Sequence, residues 1–213
     1  MTAVLILGAG GTGRDVMDWL PELRAAGRPL EVLGFLDDDP AKRGLEIGGA
    51  KVLGPLTDIV RFPDASIIDA LGSPRSYRGR PKLVEAFPDS RSVTVVHPLA
   101  RVSSRAVIGA GSIIYPFAFI GPDVVLGRHV IVLSHGSLNH DVRIGDFAIL
   151  ASHVSLGGGA MIGRACYLGM RATVREGIQV GDGALVGMGA VVTDDVPAGV
   201  TVVGMPARPL GSA

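Results

Sequence analysis

The chain has 213 residues, with 20 Lys and Arg against 20 Asp and Glu, and 47% of it is hydrophobic. Balanced charge excludes the basic footprint that nucleic acid or an anionic membrane surface requires. No apolar run reaches the 18 residues of a spanning helix, and a single cysteine excludes an internal disulfide.

The apolar start, Val4 to Leu7, follows no basic residue and runs straight into glycines. A secretory signal is therefore not expected, and the chain reads as cytoplasmic. Val4 to Leu7 predicts a buried strand, and Gly8-Ala-Gly-Gly-Thr-Gly13 follows it. Residues 14–26 then have helical spacing (Val16, Leu20, Leu23) and stop at Gly27. A strand, a G-x-G-x-x-G loop and a helix let backbone N–H groups approach a phosphate at a helix N-terminus. A second strand, 31–36, ends in Asp37-Asp38-Asp39, where an acidic residue meets a ribose in dinucleotide folds. A third strand, 66–71, ends at Gly72-Ser73, an amphipathic helix covers 74–87, and a short strand covers 92–96. Alternating β and α elements predict a small Rossmann-like parallel sheet with ligand at the carboxyl ends of its strands. About ninety residues make only one mononucleotide-binding half, which argues against an NAD-dependent oxidoreductase.

After a connection at 97–105 the pattern changes. From Val102 to Val192 an aliphatic residue recurs at every sixth position, through Ile108, Ile114, Ile120 and so on without a miss. Two positions before it stands mostly a small or β-branched residue. A period of six is neither 3.6 nor 2, so it predicts a short strand and a turn, repeated. Such a unit cannot bury its aliphatic residue alone, and the units must wind into a solenoid with three units to a coil of eighteen residues. Cys166 falls on an inward small position and reads as core. The beat breaks after Val192, at Asp194-Asp195, Pro197 and Gly199. Two domains are expected, 1–96 and 97–213.

The histidines are the neutral-pH bases, sorted by their phase in the repeat. His129, His135 and His153 share one phase, and His129 reads as decoration of a solvated turn. His135 and His153 are one coil apart and should stack at about 4.8 Å. His140 stands in a second phase and is followed by Asp141. A carboxylate beside an imidazole fixes its tautomer and raises its basicity, the arrangement of a general base. A zinc site competes, because His135-x4-His140 with a third histidine resembles the ligand spacing of γ-class carbonic anhydrases. Against it, Leu99 stands where that family's other ligand is expected.

The six-residue pattern looks like the hexapeptide-repeat left-handed β-helix. The whole order, Gly8 to Gly13, Gly34-Phe-Leu-Asp-Asp-Asp39, Gly72, His97-Pro98, Asn139-His-Asp-Val-Arg-Ile-Gly-Asp146 and Val203-Gly-Met-Pro-Ala207, resembles the sugar O- and N-acyltransferases of the sialic acid and bacillosamine type. The resemblance implies an α/β nucleotide-sugar-binding domain followed by an all-β left-handed β-helix, and a homotrimer with active sites between subunits. It implies acetyl-CoA as co-substrate, no metal, and a nucleotide-linked amino sugar as acceptor, with O-acetylation or a non-catalytic scaffold as alternatives. His140 matches the family's base and Asp141 its acidic partner. Thr12, Gly13, Arg14, Asp37, Asp38 and Gly72 match the acceptor site, and Ile149, Met170 and Met188 the backbone that holds acetyl-CoA. Many relatives carry a second histidine nine residues after the base. This chain has Ile149 there, and His153, four residues on, is the alternative to it.

Overall fold

A computed structural model describes residues 2–73 and 77–211. Strand β1 (Thr2–Leu7) is fully buried over its last four residues and pairs in parallel with β2 (Leu30–Leu36) and β5 (Ser66–Asp69). The sheet order is β3-β4-β2-β1-β5, in which β4 (Ala50–Gly54) is also parallel and β3 (Glu46–Ile47) forms a hairpin with it. The two-residue Gly48-Gly49 turn has positive φ at both positions, which glycine adopts without strain.

The helix expected at 14–26 is two helices, α1 (Gly11–Asp18) and α2 (Leu20–Ala25), joined at Trp19. Pro21 is the cause. It has no N–H to give, and its ring collides with the carbonyl four residues back, so a single helix cannot run through it. Of the helix expected at 74–87, positions 74–76 lie outside the described residues, and the rest holds only α3 (Arg80–Val84). The strand expected at 92–96 is divided between the two parts. Ser92 bridges Ile67 of the sheet, whereas β6 (Val95–Val96) pairs with Ile113–Ile114 as the first rung of the coils. The coil therefore starts before the connection assigned from sequence.

From there two-residue strands repeat in a left-handed β-helix, each pairing in parallel with the strand eighteen residues on: Val125↔Arg143, Ile131↔Ile149, Ser137↔Ser155. Three faces result. The first contains Ile113–Ile114, Ile131–Val132, Ile149–Leu150 and Tyr167–Leu168; the second Phe119–Ile120, Ser137–Leu138 and Ser155–Leu156; the third Val125–Leu126, Arg143–Ile144 and Met161–Ile162. The sixth-position aliphatics and the small residues two before them, Cys166 included, fill the interior. At most corners one residue has positive φ, among them Asp123, His129, His135, Asp141 and His153. Asp and His tolerate this conformation far better than β-branched residues, which explains the phase these histidines share. After Val192 one coil is two residues short, with Val180 bridging Val196, and the antiparallel Arg208–Pro209 closes the last rung.

One face of the α/β sheet packs on the first face of the coils. Val4, Ile6, Val16, Trp19, Phe35 and Ile68 share a core with Ile113, Tyr115, Ile131 and Ile149. Among the described residues no helix is long and apolar enough to cross a membrane.

Candidate active site

His140 stands at the corner between the second and third faces. Its Nδ1 lies 2.9 Å from Asp141 Oδ2, and both side chains are about two-thirds exposed. With Nδ1–H donating to the carboxylate, Nε2 keeps its lone pair toward solvent, ready to take a proton. The ring lies against Gly158, one coil further on. A Cβ there would come within 2.5 Å of the imidazole, so only glycine leaves room for this pose. Sequence reasoning missed Gly158, although its spacing of eighteen from His140 is a readable signal.

The glycine loop sits on the far side of the molecule from this corner. Gly8 has φ +96°, and Gly13 packs so closely that a Cβ would meet the Gly8 carbonyl oxygen at 2.3 Å. Space beside Gly10 and Gly11 is open, and Arg14 is exposed on the first turn of α1. Asp37 pins the loop. Its carboxylate accepts from the Ala9 N–H at 2.8 Å, the Asp39 N–H at 2.9 Å and Lys42 Nζ at 2.9 Å. Burial pushes this carboxyl up, but the bonds from Lys42 and the two amides outweigh it and hold it below its ordinary value. Asp38 accepts from the Leu56 N–H. Gly72 is exposed, and its Cβ position lies 3.9 Å from Thr12 Oγ1, 3.2 Å from Ile131 Cδ1 and 3.7 Å from Ile149 Cδ1. Thr12, Gly72 and Ile149 thus meet above the first face.

Met170 and Met188, both exposed, stand one coil apart on the edge between the first and second faces, rising from the level of Ile149. Ile149 itself is buried, and its N–H is spent on the Cys166 carbonyl. On the same edge His135 and His153 stack with centroids 4.7 Å apart and planes 11° apart, as their spacing predicts. His135 and His140 occupy different corners, with Ser137–Leu138 between them, so their sequence spacing does not converge on one metal. Among the described residues no group of three or more His, Cys, Asp or Glu could hold an ion. Cys166 is buried and donates to the Gly181 carbonyl, and burial pushes its thiol up to about 11, which suits core and not attack.

His129 does not decorate a solvated turn. It is 2% exposed, with Nδ1 3.2 Å from Asp69 Oδ2, and its ring stacks on Phe147 with centroids 5.2 Å apart. The α/β sheet, docked over this corner, takes the water away.

A left-handed coil of six-residue repeats carrying an imidazole backed by a carboxylate, its second nitrogen free, is the build of a hexapeptide-repeat acyltransferase. The family of the hexapeptide repeat of succinyl-transferase matches residues 159–194. The acetyltransferase domain of PglB from Neisseria gonorrhoeae FA1090 is similar with a TM-score of 0.86 and 31% identity over 99% of this chain and 100% of that one. It has also been solved with acetyl coenzyme A. PerB from Caulobacter crescentus, solved with CoA and GDP-perosamine, gives 0.75 and 30% over 99% and 98%. A histidine-to-alanine mutant of GDP-perosamine N-acetyltransferase from the same organism, again with CoA and GDP-perosamine, gives 0.68 and 27% over 100% and 98%. No curated protein sequence matches. The chain belongs to the sugar N-acetyltransferases of the hexapeptide-repeat superfamily.

Proposed function

We propose that this chain transfers the acetyl group of acetyl-CoA to an amino group of a nucleotide-linked sugar, with His140 as general base and Asp141 holding its tautomer. The observation that carries the reading is the His140–Asp141 pair with Nε2 free at an exposed corner. Nε2 takes the proton as the amine attacks the thioester, and a backbone N–H of a neighbouring coil stabilises the oxyanion. Collapse of that intermediate breaks the C–S bond, the coenzyme A thiolate leaving as the thiol with the proton returned from the imidazolium. The nucleotide rests in the 1–96 part on Thr12, Gly13, Arg14, Asp37, Asp38 and Gly72, and the 97–213 part performs the transfer. Gly13 and Asp37 shape the loop, while Thr12, Arg14 and Gly72 border open space. Acetyl-CoA runs up the edge marked by Ile149, Met170 and Met188.

These parts do not meet within one chain. The base lies between the second and third faces, the cofactor edge between the first and second, and the acceptor loop above the first. A homotrimer supplies the missing neighbour, setting the His140 corner of one chain against the loop and cofactor edge of the next. The short Ser137, Ser155 and Thr173 of the intervening second face allow that approach. The setting is cytoplasmic.

Acetyl-CoA and a panel of UDP-, GDP- and dTDP-linked amino sugars, followed by release of free thiol, test the reading. General-base catalysis contributes about 10²- to 10⁴-fold, so His140→Ala should lower kcat by about that factor with little change in either KM. Wild-type kcat in that variant would refute the assignment.

A further inference from the structure

A second, fully buried polar cluster lies beneath the Gly72 turn, and the chemistry above does not use it. Asp69 is 0% exposed, and Arg80 and His129 are 2% exposed. Three donors converge on one oxygen, Asp69 Oδ2: Arg80 Nε at 3.0 Å, Arg80 Nη2 at 2.8 Å and His129 Nδ1 at 3.2 Å, the last two off line for good hydrogen bonds. The other oxygen, Oδ1, accepts from the Leu71 N–H at 3.2 Å, the residue that leads into Gly72. Arg80 Nη1 donates to the Phe147 carbonyl, and His129 Nε2 lies 3.4 Å from Ser92 Oγ. Gly111, one coil before His129, has no side chain, and a Cβ there would reach within 2.5 Å of the imidazole. The ring is thus held between Gly111 and Phe147.

A buried ion pair is weak support for stability, because well-packed apolar residues of the same volume do as well or better. What it supplies is direction: Arg80 Nε to Asp69, Arg80 Nη1 to the Phe147 carbonyl and the Leu71 N–H to Asp69 each fix an angle, and the His129 ring, clamped between Gly111 and Phe147, holds its nitrogen 3.2 Å from Asp69 Oδ2. His129 and His140 fall within one eighteen-residue coil. His129 therefore ties the turn that carries Gly72 to the coil that carries the base, and sets both at one height on the stack. A neighbour related by an axis parallel to the coils would present its base at that same height.

We propose that His129, acting through Asp69 and Arg80, is a positioning residue for the acceptor: it holds the Gly72 turn at the level of the His140 coil. The inference rests on the acceptor site proposed above. His129→Leu keeps bulk against Phe147 and removes the donor, while His129→Gln keeps a donor. In the whole protein, His129→Leu should raise the acceptor KM about tenfold or more, with acetyl-CoA KM and kcat within about twofold, and His129→Gln should recover part of the loss. Hydrogen exchange supplies a readout independent of turnover. The Leu71 amide, bonded to Asp69 Oδ1, should exchange faster in His129→Leu, while those of Ile131 and Ile149 keep their protection. Unchanged exchange at Leu71 would overturn the proposal even if no acceptor tried is acetylated, the result that would instead count against the proposed reaction. An unchanged acceptor KM, equal effects on both substrates, or identical behaviour of the Leu and Gln variants would overturn it as well.

Discussion

At the scale of single residues, the backbone conformation of the corners decides what a side chain can do. His129, His135, His153 and Asp141 share a positive-φ position, yet one is buried under the sheet, two form an exposed stack and one lies 2.9 Å from the His140 ring. Phase in the repeat was legible and correctly predicted the stack. Burial was not, because nothing in a six-residue period says which corner another part of the chain covers. The imidazole of His140 depends likewise on a residue one coil away. Gly158→Ala places a methyl inside contact distance of the ring, and since that ring is exposed it can swing aside at little cost in stability. The expected result is a fall in kcat of about tenfold or more, toward the loss seen on removing a general base, with Tm nearly unchanged. Wild-type kcat in Gly158→Ala would show that the observed pose is not the working one.

At the scale of elements, period and punctuation gave different returns. The six-residue beat located nearly every rung of the β-helix, because an aliphatic column can be buried in only one way. Helices were harder. Helical spacing carried on through residues 20–25, but Pro21 divides the run, and its missing N–H was a signal available in the sequence. The β3–β4 hairpin was likewise announced by Gly48-Gly49 between short strands. The strand–loop–helix unit shows how one motif holds two kinds of glycine. Gly10 and Gly11 face open space, where a ligand can approach, whereas Gly13 is needed for close packing of α1 on β1. Gly13→Ala should accordingly destabilise the whole unit by about 1–3 kcal/mol, the usual cost of overpacking, a loss that denaturant unfolding would measure. An altered acceptor KM at unchanged stability would contradict this packing role and leave Gly13 only its place in the acceptor site.

At the scale of the whole molecule, assembly and acid sensitivity follow from where the parts lie. The site proposed above, with its base, cofactor edge and acceptor loop on different sides of the chain, needs a neighbour to complete it. As a homotrimer the protein should give three times the 21.9 kDa chain mass in light scattering at micromolar concentration, and a monomer mass would remove the shared site. Asp69 contributes to the acid limb of stability, together with Asp37. Burial alone would raise the Asp69 carboxyl, but the Arg80 charge, the bond from Arg80 Nε and the His129 imidazole facing it prevail and hold it below its ordinary value. The folded carboxyl is then the stronger acid. Its contribution is complete above that ordinary value and is lost as pH falls through the lower folded one. Asp69→Asn should flatten this limb in Tm measured against pH. It should also cost about 3–5 kcal/mol near neutrality, since it leaves Arg80 buried without its counter-charge. An acid limb unchanged in Asp69→Asn would assign it to other carboxylates.

The segment from Tyr77 to Ser92 runs along the corner between the third and first faces and touches coil after coil. Tyr77 Oη and Arg78 reach the Gly183 carbonyl, Arg78 also reaches Gly199, Arg80 reaches Phe147, Glu85 pairs with Arg164, Asp89 with Arg128, and Ser92 meets His129. A solenoid left to itself behaves as a one-dimensional array, in which each coil is held only by its neighbours and the end coils fray first. A seam stitched lengthwise changes that behaviour. Loss of any one coil along it releases contacts to the 77–92 segment as well, so the stack should melt as a single cooperative unit with the α/β part and not peel from its tip, which hydrogen exchange along the last coils would check.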